Sequence, residues 1–185
     1  MEYQLHPAAP HALLLTDVVD STQLTERLDE RAASALWAAH DRLARDLIPK
    51  WRGREVDKAD GMLILFDSVR DAVEYALEYQ RTLDERGLGI QARAGIHYGR
   101  VSLRANPAED VARGAKPIEV DGIALPMAAR VTSLARGGQI LLTDAAREGL
   151  AGELRGSTTM VAHGHYRLKG IAELAGKTLA GGVRQ

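Results

Sequence analysis

The chain has 185 residues, no cysteine, and a near-balanced charge of 24 Lys and Arg against 25 Asp and Glu. That length suits one domain with a real core, and the missing thiols exclude a disulfide scaffold, a thiolate metal site and a cysteine nucleophile. Dispersed bases and a single Phe beside two Trp argue against nucleic acid as a partner, which needs a basic stripe or a stacking platform. No apolar run approaches the roughly 20 residues of a membrane span. The N-terminal MEYQLHPAAPH lacks the basic and apolar regions of a signal peptide, so a cytoplasmic home away from membranes is the expectation.

Residues 1–10, with prolines at 7 and 10, read as a lead-in to a domain spanning 11–185. Ala12–Thr16 opens that domain as an apolar run suited to a strand buried on both faces. Asp17 follows, and Asp20, Ser21 and Thr22 are all good helix caps. From Ser21 to about Ile48, Leu24, Leu28, Ala32, Leu36, Ala39, Leu43 and Leu47 recur at helical spacing. Asp29 can start a second helix within that region, and Pro49 closes it. A hairpin comes next: strands Arg54–Lys58 and Met62–Phe66 around an Asp60-Gly61 turn.

A helix over Ser68–Arg86 ends at Gly87. Two strands, Ile90–His97 and Arg100–Leu103, then flank Tyr98-Gly99. Residues Arg104–Pro117 read as a loop. A helix over Leu125–Leu134, a short strand Gln139–Leu142, a short helix Thr143–Gly149 and two or three C-terminal strands complete the chain. This order predicts an α+β fold. Its core is ferredoxin-like, βαββαβ, with a mainly antiparallel sheet, helices packed on one side, and a small C-terminal β subregion.

Six segments in order resemble the catalytic domain of class III nucleotidyl cyclases, the adenylate and guanylate cyclases. They are TDVVDST (16–22), VDKADGMLILF (56–66), ARAGIHYGRV (92–101), GIALPMAARVTSLA (122–135), GGQILLT (137–143) and YRLKGIAEL (166–174). The resemblance implies conversion of a nucleoside triphosphate, ATP as the lead choice, to its 3′,5′-cyclic monophosphate and pyrophosphate. GTP and pyrimidine triphosphates stay open. It implies two divalent metal ions, Mg²⁺ or Mn²⁺, held by Asp17 and Asp60. Taken alone, Asp17 equally caps a turn, and Asp60 equally serves as a steric turn residue. Phosphates would be cradled by Val18, Val19, Asp20, Ser21 and Thr22 at the helix start.

The resemblance further implies a homodimer with composite sites, in which Arg130 stabilises the transferring phosphoryl group and Lys58 and Glu119 meet the base. The hairpin is shorter than the family's by about two residues, a change that keeps side chains on their original faces. Aligning on the strand gives Lys58 the base-reading position; aligning on Asp60 gives it to Val56. Pro126 stands where the family has an Asn, and Pro offers no side-chain donor. A degenerate domain that binds nucleotide as a regulatory module is the alternative. His97 reads as a strand histidine satisfied locally rather than as a base.

Overall fold

The computed structural model describes residues 5–59, 61–150, 154, 158–166 and 178–184. Strand β1 (Leu5–Val18) leads to a short helix α1 (Ser21–Glu26) and a long one, α2 (Glu30–Leu47). Asp29 separates the helices as expected, its Oδ1 accepting from Ala32 N at 2.8 Å. The hairpin strands β2 (Arg54–Lys58) and β3 (Met62–Phe66) precede α3 (Val69–Arg86). Ser68 caps α3, and Gly87 ends it in the left-handed conformation at φ 60°. Then come β4 (Ala92–Ala105), α4 (Ala108–Ala112), β5 (Ile118–Asp121), α5 (Ala124–Leu134), β6 (Ile140–Leu142), α6 (Asp144–Gly149), β7 (Thr159–Tyr166) and β8 (Thr178–Arg184). Among the described residues no helix is long and apolar enough to cross a membrane.

The sheet runs β2-β3-β1-β4-β6-β8-β7, with β5 paired to β4. Neighbours among its first four strands, β2-β3-β1-β4, are antiparallel, which is the expected βαββαβ arrangement. The β4–β6 pair alone is parallel among the described pairings. β1 is an interior strand, flanked by β3 and β4. Ala12, Leu14 and Val18 face a core with Ile64, Phe66, Tyr75, Tyr79 and Ile96, under α2 and α3. Leu13 and Leu15 face the other way, toward Leu63, Val101, Ala124 and Ala128. The two long helices thus share one face, and α5 lies across the opposite one.

Three expectations differ in detail. β1 starts at Leu5, not Ala12, because residues 5–10 pair with β4. A register shift between His6 and Ala9 absorbs Pro7, which has no N–H for the ladder. Tyr98-Gly99 is no turn: both residues pair with β1, opposite Ala12 and His11. Gly99 marks a close approach, since a Cβ there would lie 2.8 Å from His97 Nε2. The expected loop over 104–117 contains α4, and the strand that follows it, β5, returns along β4.

His97 is a structural residue of this fold. It is 8% exposed, and its Nδ1 lies 3.0 Å from Thr143 Oγ1. That oxygen also accepts from Ala146 N and so caps α6. Burial pushes the His97 pKa down to about 4. The unfolded chain, titrating near 6.5, takes up this proton first. The stabilisation from a neutral His97 is therefore full above pH 6.5 and is lost as pH falls toward 4. Between pH 7.5 and 5 the wild type should lose about 2 kcal/mol through this group. Urea unfolding of His97→Gln at both pH values should show that part of the loss removed; an unchanged pH dependence would contradict the assignment.

Candidate active site at the end of the central strand

After the apolar run Ala12–Leu15, β1 turns polar at Thr16 and Asp17, both of which line a cleft of about 380 Å³. Asp57, Gly61, Arg93 and Thr132 also line it. Asp17 stands opposite Arg93 in the β1–β4 register. Its Oδ2 accepts from Arg93 Nε at 2.7 Å and lies 2.5 Å from a terminal guanidinium nitrogen. Both side chains are about a third exposed, so the pair sits at the cleft mouth rather than in the core. Arg93 is a site residue that sequence reasoning passed over. Its signal is its strand position, which puts it on the α5 face.

Asp60 lies outside the described residues. Its neighbours on both sides sit at the end of β1. Ala59 N donates to Gly61 O at 2.9 Å, and Met62 N donates to Thr16 Oγ1 at 2.9 Å. Gly61 packs directly on the end of β1: an added Cβ would fall 1.9 Å from the Thr16 carbonyl oxygen and 2.9 Å from Asp17 Cα. Only glycine allows this approach, and it sets the hairpin turn beside Asp17. Oxygen donors at such a place suit a hard divalent cation. Among the described residues no group of three or more His, Asp or Glu side chains forms a ready metal cage.

The hairpin settles which β2 side chains face the cleft. The register pairs Glu55 with Ile64 but Asp57 with Leu63, so Val56 is a bulge. One extra residue exchanges the faces beyond it. Asp57 therefore shares the face of Leu63, on the α5 side, and Lys58 shares that of Met62, under α2. Lys58 Nζ lies 2.8 Å from Asp41 Oδ2 of α2. Val56 packs with the α5-side cluster. Asp57 is the β2 carboxylate in the cleft, and its Oδ2 is 2.5 Å from Lys116 Nζ. Neither Asp57 nor Lys116 stands out in the sequence, because the bulge has no local signature.

The remaining expected residues are dispersed. Glu119, on β5 opposite Arg104, accepts from Asn106 Nδ2 at 3.2 Å and is not in the cleft wall. Arg130 is an exposed residue of α5, one position beyond the cleft-lining Ala129, with no ion pair among the described residues. Pro126 falls in the first turn of α5, where its missing N–H leaves no helical bond unmade. Val18 is buried and pairs with Ala92. Val19 N donates to Gln91 O at 2.8 Å, so that N–H is already spent in the fold. Asp20 is left-handed, at φ 55°, and its side chain makes no capping bond. Ser21 and Thr22 then open α1, leaving the main chain of 20–22 as the part of the expected cradle at a helix start.

Known proteins resemble the chain in sequence and in structure. No family model matches the chain. A receptor-type adenylate cyclase B of Leishmania donovani is 29% identical over 203 residues, covering 88% of this chain but 15% of that protein. The chain thus spans a small fraction of that relative's length. In structure it is similar to the adenylyl cyclase CyaB from P. aeruginosa, with a TM-score of 0.81, 16% identity, and coverage of 100% of this chain and 97% of that one. It is also similar to an adenylate cyclase from Trypanosoma brucei solved in its monomeric state, with a TM-score of 0.77, 26% identity, and coverage of 96% and 88%. In fold and in sequence the chain is similar to the catalytic domains of the class III adenylate and guanylate cyclases.

Proposed function

We propose that this domain is a nucleotidyl cyclase, closing a nucleoside triphosphate, ATP as the lead substrate, to its 3′,5′-cyclic monophosphate. The 3′-hydroxyl gives up its proton to solvent, its oxygen forms a bond to the α-phosphorus, the bond from that phosphorus to the oxygen bridging to the β-phosphate breaks, and pyrophosphate leaves. The observation that carries this reading is the juxtaposition of Asp17, Arg93 and the Gly61 turn in one cleft. Asp17 and Asp60 would hold two divalent ions, Mg²⁺ or Mn²⁺. Bound there, such ions acidify the 3′-hydroxyl and neutralise the leaving group. Arg93 answers the negative charge of the triphosphate once Asp17 turns to a cation. The main chain of 20–22, with the Ser21 and Thr22 hydroxyls, holds phosphate oxygens.

We place Arg130 on the transferring phosphoryl group of a second copy's site. Its exposure and its position beside, rather than in, its own cleft wall support a composite homodimer. Glu119 meets the base; Lys58 does so only if it gives up Asp41, and Asp57 with Lys116 offers an acceptor and a donor nearer the cleft. Pro126 in place of a donor slows the reaction by about 10²–10³-fold relative to a site with that group. The same proposal puts the protein in the cytoplasm. A regulatory module that binds nucleotide without turning it over is the second reading, favoured by Pro126 and by the Arg93 contact on Asp17.

Incubation with ATP, GTP, CTP and UTP, each with Mg²⁺ and Mn²⁺, should give a 3′,5′-cyclic product by mass spectrometry. Asp17→Ala should lower its formation by at least about 10²-fold. Saturable binding with no product supports the module instead. Mixing Asp17→Ala chains with Arg130→Ala chains should restore part of the activity, because half of the mixed dimers' sites are intact; no recovery sinks the composite arrangement.

A further inference from the structure

Beneath the cleft lies a line of buried polar side chains that the reaction does not use. His40 of α2 is 1% exposed, and its Nε2 is 2.6 Å from the Tyr79 hydroxyl of α3. Tyr79 is fully buried, and its hydroxyl lies near the Thr16 side chain. Thr16 Oγ1 in turn accepts from Met62 N, the first amide of β3. At the other end, His40 Nδ1 lies 3.3 Å from Asp41 Oδ1, and the second Asp41 oxygen holds Lys58. One assignment satisfies every donor. Met62 N–H donates to Thr16, the Thr16 hydroxyl to Tyr79, the Tyr79 hydroxyl to His40 Nε2, and His40 Nδ1–H to Asp41. Burial pushes the His40 pKa down, which keeps the ring in the neutral form this chain of bonds requires.

Polar groups in such a core are costly unless bonded, and an apolar pair would fill the same space. What this set reaches explains it. Lys58 is the last residue of β2 and Met62 the first of β3, so the His40-Asp41 dipeptide fastens both legs of the hairpin. Through Thr16 it also fastens that hairpin to the residue before Asp17. The regular β1–β3 pairing is given up to Leu15↔Leu63; beyond it, the Thr16 hydroxyl supplies the acceptor for the Met62 N–H.

We propose that His40, Asp41, Tyr79 and Thr16 form a positioning clamp that sets Gly61 and Met62 against the end of β1 at Asp17, a role that rests on reading this place as the metal-binding edge of the site. None of the four touches substrate; they act through the backbone of β1 and the hairpin. The clamp also gives Lys58 its role, as an anchor of β2.

Four variants separate this from general stability. Tyr79→Phe and Thr16→Val each remove one hydroxyl from the clamp. Thr16→Ser keeps it. Tyr75→Phe removes an equally buried hydroxyl, bonded to Ala44 O at 3.0 Å, that does not lead to the site. Amide exchange at Met62 and across 59–61 should quicken about fivefold or more in the first two and stay at the wild-type rate in the last two. The Mn²⁺ concentration for half-saturation with ATP present, read by electron paramagnetic resonance, should rise by a similar factor in the same two. Equal exchange in Tyr79→Phe and Tyr75→Phe overturns the clamp, as does faster exchange with Mn²⁺ binding unchanged. A wild-type protein whose Mn²⁺ uptake does not depend on Asp17 overturns the cyclase reading instead, and the exchange comparison alone then decides the clamp.

Discussion

The candidate site depends on β1 being hydrogen-bonded along both edges and covered on both faces. β3 and β4 pair with it on either side, α2 and α3 cover one face, and α5 covers the other. Leu13 and Leu14 are fully buried on opposite faces, each contributing about 1.5–3 kcal/mol. A strand held this way has little freedom to move at its end. When the sequence changes from Leu15 to Thr16-Asp17, the polar groups emerge at a fixed place in the fold. The hairpin is brought to that place by backbone contact, through the bare Cα of Gly61. The polar line from Asp41 to Thr16 continues the same constraint into the helical layer.

The Asp17–Arg93 pair shows how such an edge can be both stable and usable. A pair about a third exposed gains on the order of 1 kcal/mol or less. That is enough to orient two side chains, and small beside the attraction of a carboxylate for a divalent cation. The pair therefore holds the carboxylate in the cleft without barring a metal from it. It also keeps a guanidinium at the site, where its planar fork suits phosphate oxygens. Asp57 and Lys116 repeat the pattern at the β2 rim.

Much of this was legible in the residues. The apolar run ending at Asp17, the Asp29 cap, the limits of β2 and β3, and Gly87 at the end of α3 all follow from local chemistry. What escaped reading depends on tertiary register. The Val56 bulge exchanges the faces of Asp57 and Lys58, and no residue there announces it. Gly99 looks like a turn and is a close approach, because a glycine needed for space and one needed for φ are the same letter. β5 is four residues long and earns its strand conformation only from β4. Arg93 and Asp17 are far apart in sequence, and only the β1–β4 register joins them.

The most direct test of the account is a crystal structure of the protein soaked with Mn²⁺ and a non-cyclisable ATP analogue, with anomalous scattering recorded for manganese. The account predicts two manganese peaks between Asp17 and the 59–61 turn, with Arg93 turned from Asp17 toward the triphosphate. Nucleotide bound with no manganese at Asp17, and the Asp17–Arg93 pair still closed, would contradict it.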